Sequence, residues 1–294
     1  MDNLRGSLLL VLSMACFTAE DAFIKLLSAT MPTGQILLIL GIGGTMIFWA
    51  LMARKGHPLW TRDLRRPTVL ARSTGEFIAA LCFVTALSKI DISLATAILQ
   101  AAPLATVMGA ALFLREQVGW RRWAAIFVGF IGVLLVVKPG MAGFDPASLY
   151  ALGGVGGLVL RDLSTRKIPA HVSSEQVSAG AYIAGGLAGA LLLLATGDQM
   201  VALSPRDWLN ALGMLFIGAV GYFAIVTATR IGEVSVVIPF RYTRLVFAMI
   251  AGAIFFGERP DRLTLVGSAI IVASGLYTIW RERKQRRRAA SQPA

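Results

Sequence analysis

Ten ionisable side chains lie inside apolar stretches of this sequence: Glu20, Asp21, Lys25, Arg72, Glu76, Arg161, Asp162, Arg166, Arg241 and Arg244. A charge at bilayer depth on a lone helix costs about 2.5–3.5 kcal/mol on the gentler scale, so each needs a partner, water or a ligand. Arg241 and Arg244 fall near the middle of VVIPFRYTRLVFAMIAGAIFF, residues 236–256. A guanidinium binds a carboxylate bidentately. Glu76, at similar depth in its own stretch, suits an amine. Arg244, Arg241 and Glu76 together have the chemistry of a zwitterion site. The structural alternative is that Arg72 and Glu76, spaced i, i+4, satisfy each other on one helix.

Two further acid–base pairs share that spacing, Asp21 with Lys25 and Asp162 with Arg166. They could seal the two ends of the protein in turn, or pair locally while the long side chains snorkel to the interface. Glu20 and Asp162 are also candidates for a coupled proton. Around the central charges, Tyr242, Tyr222, Phe77 and Gln100 could shape a pocket, the aromatic faces favouring a cationic amine. Pro103 and Pro239 lie within apolar stretches, where each bends its helix and offers a hinge.

Catalytic chemistry has no foothold. The sequence has no GxSxG, no HExxH and no cysteine cluster; Cys16 and Cys82 read as buried free thiols, and His57 and His171 fall in links. No catalytic residue, metal or cofactor is expected.

The elements that must hold these side chains are membrane spans. The chain has 294 residues, 56% hydrophobic and 15% charged, outside the range of an ordinary soluble domain. Runs of about 20 apolar residues, the length that crosses a bilayer, tile it into ten spans: 6–28, 34–53, 68–88, 93–114, 120–137, 147–166, 175–196, 207–229, 234–256 and 261–280. Of the 28 Lys and Arg, nineteen fall on one side, counting Arg161 and Arg166 towards the end of the sixth stretch, and five on the other. That asymmetry predicts both termini in the cytoplasm, and it explains the net charge of +12 without nucleic acid. The basic tail, 283–294, reads as an anchor at anionic lipid.

The chain also repeats itself. At an offset of 141, Ser7 matches Ser148, Asp21 matches Asp162, Lys25 matches Arg166 and Gln35 matches Gln176. At 142, Thr85 matches Thr227, Ser93 matches Ser235 and Glu116 matches Glu258. The expectation is an all-α polytopic membrane protein of two five-span repeats, 1–140 and 147–282. Five is odd, so the second repeat must be inverted in the bilayer, as in transporter folds.

The ends of the fourth and ninth spans, APLATVMGAALFLREQ and RLVFAMIAGAIFFGERP, carry a family pattern: Pro103 and Glu116 in the first repeat, Gly257 and Glu258 in the second. In this the chain resembles the EamA-type branch of the drug/metabolite transporter superfamily, and within it the YddG-type amino-acid exporters. It departs from the pattern at Arg115, where Gly is usual, and at Leu245, where Pro is. The resemblance implies a cavity ringed by spans 3, 4, 8 and 9, with spans 5 and 10 packed outside, and alternating access to the two sides of a bacterial inner membrane. The expected substrate is a small molecule, an amino acid with an apolar or aromatic side chain included, moved outward. The rivals are an exporter of lipophilic cations, a channel and a membrane enzyme. The bilayer is a partner and nucleic acid is not; a homodimer is left open.

Overall fold

The computed structural model describes residues 2–54, 56, 61–116, 118–141, 143–169, 172, 174–231 and 233–290; His57 and His171 lie outside them. The described residues form helices and turns without a strand. The helices are α1 (Asp2–Leu27), α2 (Thr33–Arg54), α3 (Pro67–Lys89), α4 (Ile92–Leu99), α5 (Ala102–Phe113), α6 (Trp120–Val137), α7 (Ser148–Thr165), α8 (Ser174–Thr196), α9 (Pro205–Ile231), α10 (Val234–Val237), α11 (Thr243–Phe256) and α12 (Arg262–Ala290). Nine spans among the described residues are long and apolar enough to cross a membrane. The tenth, α7, is diluted by Arg161 and Asp162, yet it lies in the same bundle, packed along α3.

Two spans expected to be continuous are broken. The fourth divides at Gln100–Ala101 into α4 and α5, and the ninth passes from α10 through a 3-10 turn, Ile238–Tyr242, into α11. Pro103 and Pro239 each lie in the first turn of the segment after a break. They therefore start a new segment, where the missing N–H costs nothing, rather than kinking an unbroken helix. Interrupted helices in a bilayer are tolerated where the irregular backbone is enclosed by protein or lines a cavity.

The repeats interlock. Each large helix contact joins one repeat to the other: α1 with α9, α3 with α7, α2 with α8, α6 with α12, and α4 with α11. Glycine permits the closest of them. A Cβ at Gly132 would lie 2.8 Å from the Gly267 carbonyl oxygen, and one at Gly189 would lie 2.5 Å from that of Gly34. Small residues of this kind let helices associate where lipid gives no hydrophobic drive. The pairing α6–α12 stands apart from the others as a two-helix buttress. It is pinned at one end by Lys138, which ion-pairs with Asp261.

Candidate functional site

The breaks in the fourth and ninth spans meet near the centre. Gln100, buried at the first break, donates from Nε2 to the carbonyl of Arg241 at 3.4 Å. Gln100 thus braces the second break rather than lining an open pocket. Tyr242, at the matching repeat position, is 6% exposed, and its hydroxyl is packed against Gly275 of α12 with no hydrogen-bond partner. The expectation that Tyr242 faces the cavity is corrected: it wedges the break against the buttress.

The 3-10 turn sends Arg241 and Arg244 to different surroundings. Arg244 Nη2 donates to Asp21 Oδ2 at 2.7 Å. Its guanidinium lies 5.7 Å from the ring centres of both Phe17 and Phe83, so it is paired and sandwiched. Arg241 is exposed and lines a cleft of about 270 Å3 with Leu10, Ile225, Val226, Thr229 and Ile238. Among the described residues no carboxylate lies within ion-pair distance of it. Of the two, Arg241 is therefore the available guanidinium and Arg244 the occupied one.

The intrahelical pairs read from i, i+4 spacing do not form. Glu76 is 3.6 Å from Arg161, not from Arg72. Arg72 reaches across to the Val177 carbonyl at 3.2 Å and leaves its Nε buried without a partner. Asp162 pairs with Arg161 at 2.9 Å, not with Arg166. Asp21 pairs with Arg244, not with Lys25. Lys25 and Arg166 turn instead to the acids that follow the ninth and fourth spans: Lys25 lies 3.4 Å from Glu258, and Arg166 lies 2.7 Å from Glu116. For Asp21, Glu76, Lys25 and Arg166, partners on other segments approach head-on, whereas i, i+4 neighbours must bend along their own helix for a gain of about 0.5 kcal/mol at most; Asp162 instead takes its sequence neighbour Arg161.

Glu20 is different again. It is half-buried on α1 opposite Gly218 of α9, where an added Cβ would come within 2.6 Å of Oε1. Among the described residues no hydrogen bond or ion pair is made by its carboxylate. Nearby in the field of Glu20 and Glu76 stands Tyr182. Its ring stacks on Phe48 with centres 5.5 Å apart, and Phe48 meets Tyr222 edge-on at 4.7 Å. Tyr222 also shares a hydrogen bond with Ser178. Phe77 is half-buried on α3. Outside the spans, the Asp261 carboxyl is held down at about 2, first by its hydrogen bond from Lys138 and then by the Thr264 N–H.

Glu258, Phe17 and Ser93 were not singled out for a functional role from sequence. Ser93 and Glu258 had a signal, since both belong to the repeat matches, but a match does not reveal that the two residues touch.

Among the described residues the arrangement holds charges in a lipid-spanning bundle, with one free guanidinium on a cleft and one free carboxylate opposite a glycine, and offers no nucleophile–base pair. Comparisons with known proteins point to transport. A solved structure is similar with a TM-score of 0.60 at 18% identity, covering 95% of this chain and 96% of its own, which shows the shared fold. The chain is 26% identical over 283 residues to an S-adenosylmethionine uptake transporter of Rickettsia bellii (strain RML369-C), covering 93% of each. It is 27% identical over 277 residues to the pseudopaline exporter CntI of Pseudomonas aeruginosa (strain UCBPP-PA14), covering 92% of this chain and 94% of that one. It is 32% identical over 192 residues to a riboflavin transporter of Vibrio cholerae serotype O1, covering 65% and 64%. The profile of the EamA-like transporter family matches twice, over residues 4–138 and 147–280. This multi-pass protein is a transporter rather than an enzyme, and it belongs to the EamA-like transporter family.

Proposed function

We propose that the protein is a secondary transporter of small metabolites with an amino-acid head group, working by alternating access, and that Arg241 takes the substrate carboxylate. One observation carries this reading: Arg241 is the guanidinium that faces a cleft without a carboxylate, while Arg161, Arg166 and Arg244 are all ion-paired. A carboxylate ligand supplies the missing partner in a bidentate, charge-assisted geometry. Outside the lining of that cleft, Glu20 on α1 and the Phe48–Tyr182–Tyr222 cluster offer, as a second contact region along the path, an acid for an amine and the apolar and aromatic faces that a hydrophobic side chain requires. Glu76 keeps Arg161 in place rather than meeting substrate.

The cleft lies in the half of the bundle where α1 begins and α9 ends. With the basic links on the cytoplasmic side, this conformation is open inward, in an inner membrane, with both termini cytoplasmic. Outward movement of amino acids, apolar and aromatic ones included, is the direction consistent with the exporter resemblance. The relatives support small metabolites as the substrate class, and one of them, by its name, carries a methionine derivative.

The test is uptake and counterflow of radiolabelled amino acids in proteoliposomes. Losing a charged hydrogen bond worth about 1.5–3 kcal/mol lowers kcat/KM by roughly 10- to 150-fold, so Arg241→Ala should fall in that range and Arg241→Lys should keep part of the activity. Saturable transport left intact by Arg241→Ala removes this reading. Free Glu20 beside aromatic rings also suits a lipophilic cation, which would need Glu20 and be indifferent to Arg241→Ala.

A further inference from the structure

The two ends of the bundle carry equivalent residues in different arrangements. At the end where α1 stops, Glu258 is 7% exposed. Its carboxylate accepts from the Ile92 N–H at 2.7 Å, the Ser93 N–H at 3.0 Å and the Ser93 hydroxyl at 2.6 Å. These are the first donors of α4, so an acid of the second repeat caps a broken span of the first. Lys25 closes the cluster, 3.4 Å from Glu258 and donating to the Ile90 carbonyl at 2.5 Å. Once so capped, α4 is a regular eight-residue helix, and α11 packs on it.

At the other end the same parts are present. Glu116 stands 142 residues before Glu258, Arg166 stands 141 after Lys25, and Val234 and Ser235 stand 142 after Ile92 and Ser93. The local turn is also the same: the Glu116 N–H donates to Ala110 at 3.2 Å, and the Glu258 N–H to Gly252 at 3.0 Å. Yet Glu116 and Arg166 pair with each other at the surface, their side chains 48% and 45% exposed. The segment opening the ninth span has only a four-residue α10 before the 3-10 turn, and the Arg241 cleft adjoins it.

We propose that Glu116 and Glu258 are the positioning residues of the transport cycle: each latches its own end by capping the broken span of the opposite repeat, and the two engage alternately. When Glu258 releases Ile92 and Ser93 into water, Glu116 turns from Arg166 towards the N–H groups of Val234 and Ser235. That movement would draw the ninth span against the fourth and shut the Arg241 cleft. A released carboxylate is tolerable only where it is hydrated, so the end that loses its cap is the end that opens. This inference rests on the alternating-access reading above, but not on which substrate is carried.

The experiment is electron–electron distance measurement on the full chain in proteoliposomes, with Cys16 and Cys82 replaced and spin labels at Lys89 and Arg259 for one end, or at Arg121 and Ile231 for the other. No substrate is added. Glu258→Gln should move the population at least tenfold towards a long 89–259 and a short 121–231 distance. Glu116→Gln should suppress that second state, and Glu258→Asp should restore part of the original distribution. If Glu258→Gln does not fold, Ser93→Ala, which removes one contact, should shift the same distances in the same direction by less. Two Gln variants that shift alike, or leave both distributions unchanged, overturn the latch. Opposite shifts in a protein that carries no amino acid would sustain the latch and remove the substrate reading instead.

Discussion

The α1–α9 and α3–α7 interfaces are one construction used twice, because the repeat places α1 over α7 and α3 over α9. Position 20 therefore corresponds to 161, and position 76 to 218. In the α3–α7 copy these positions hold Glu76 and Arg161, which pair. In the α1–α9 copy they hold Glu20 and Gly218, and the carboxylate has a glycine where its counter-charge would be. Equivalent backbones thus give one neutralised, structural contact and one unsatisfied acid. An exactly symmetric bundle would give two of one kind. Both interfaces hold the halves together; on the proposed reading, the divergence leaves the Glu20 carboxylate of one of them available to a ligand.

The strongest challenge to that comparison is to erase it. Exchanging Glu20→Arg together with Gly218→Glu rebuilds the Glu76–Arg161 pair in the other copy. The double variant should fold and show a thermal midpoint near that of the parent in detergent, while amino-acid counterflow falls to background. Retained transport in a folded double variant would mean that the free acid is not used.

The next effect is on stability. Arg161→Ala strands Glu76 and Asp162 within the bundle; because these side chains are only partly buried, the cost should fall below the about 3–5 kcal/mol of a fully buried pair. Glu20→Gln removes no partner and should change the unfolding midpoint little while reducing transport. Denaturant or thermal unfolding in micelles measures both. Equal destabilisation by the two changes would show that Glu20 has a structural partner after all.

Much of this architecture was legible. Span lengths, the repeat and its inversion follow from apolar run length and from matches such as Ser93 with Ser235, which need no contact information. The site was less so. Arg244 finds Asp21 at a separation of 223 residues, and only helix rotation decides whether a guanidinium meets it or the cleft. Spacing of i, i+4 describes neighbours on one helix; it could not report that Asp21, Glu76 and Asp162 would each turn elsewhere. The breaks were half visible: Pro103 and Pro239 marked the places, but a proline reads equally as a kink or as the first turn of a new segment.

A smaller effect tests divergence on the buttress. Asp261 caps α12 by accepting from the Thr264 N–H at 2.8 Å and pairs with Lys138; the matching positions are Gly119 and Trp280, which can do neither. Because the folded carboxyl lies at about 2 against an ordinary 3.8, its contribution is complete above the ordinary value and disappears as pH falls through about 2. Asp261→Asn should therefore lower stability at neutral pH, by about 1 kcal/mol for a pair whose carboxylate is half-exposed. Parent and variant unfolding curves should converge between about pH 4 and 2. A gap that persists unchanged below that window would assign the loss to packing.

The smallest effect lies just before the two latch acids. Gly257 has φ of +65° and Arg115, its counterpart, +55°; both reverse the chain after a span in the left-handed region. Glycine enters that region freely, whereas a side chain is strained there. The first repeat carries this strain at the end that is loosely latched, and the second is relieved of it at the end that is capped. Arg115→Gly removes the strain but also loosens the unfolded chain, so the net gain should be only about 0.5 kcal/mol. Gly257→Ala should be destabilising by more, because it adds strain under a buried carboxylate. Unfolding of the two variants side by side measures the difference. If Arg115→Gly also shifts the 121–231 distance, relief of the turn is coupled to where Glu116 points; if only stability changes, the turn and the latch are independent, and the asymmetry between the ends resides in the carboxylates themselves.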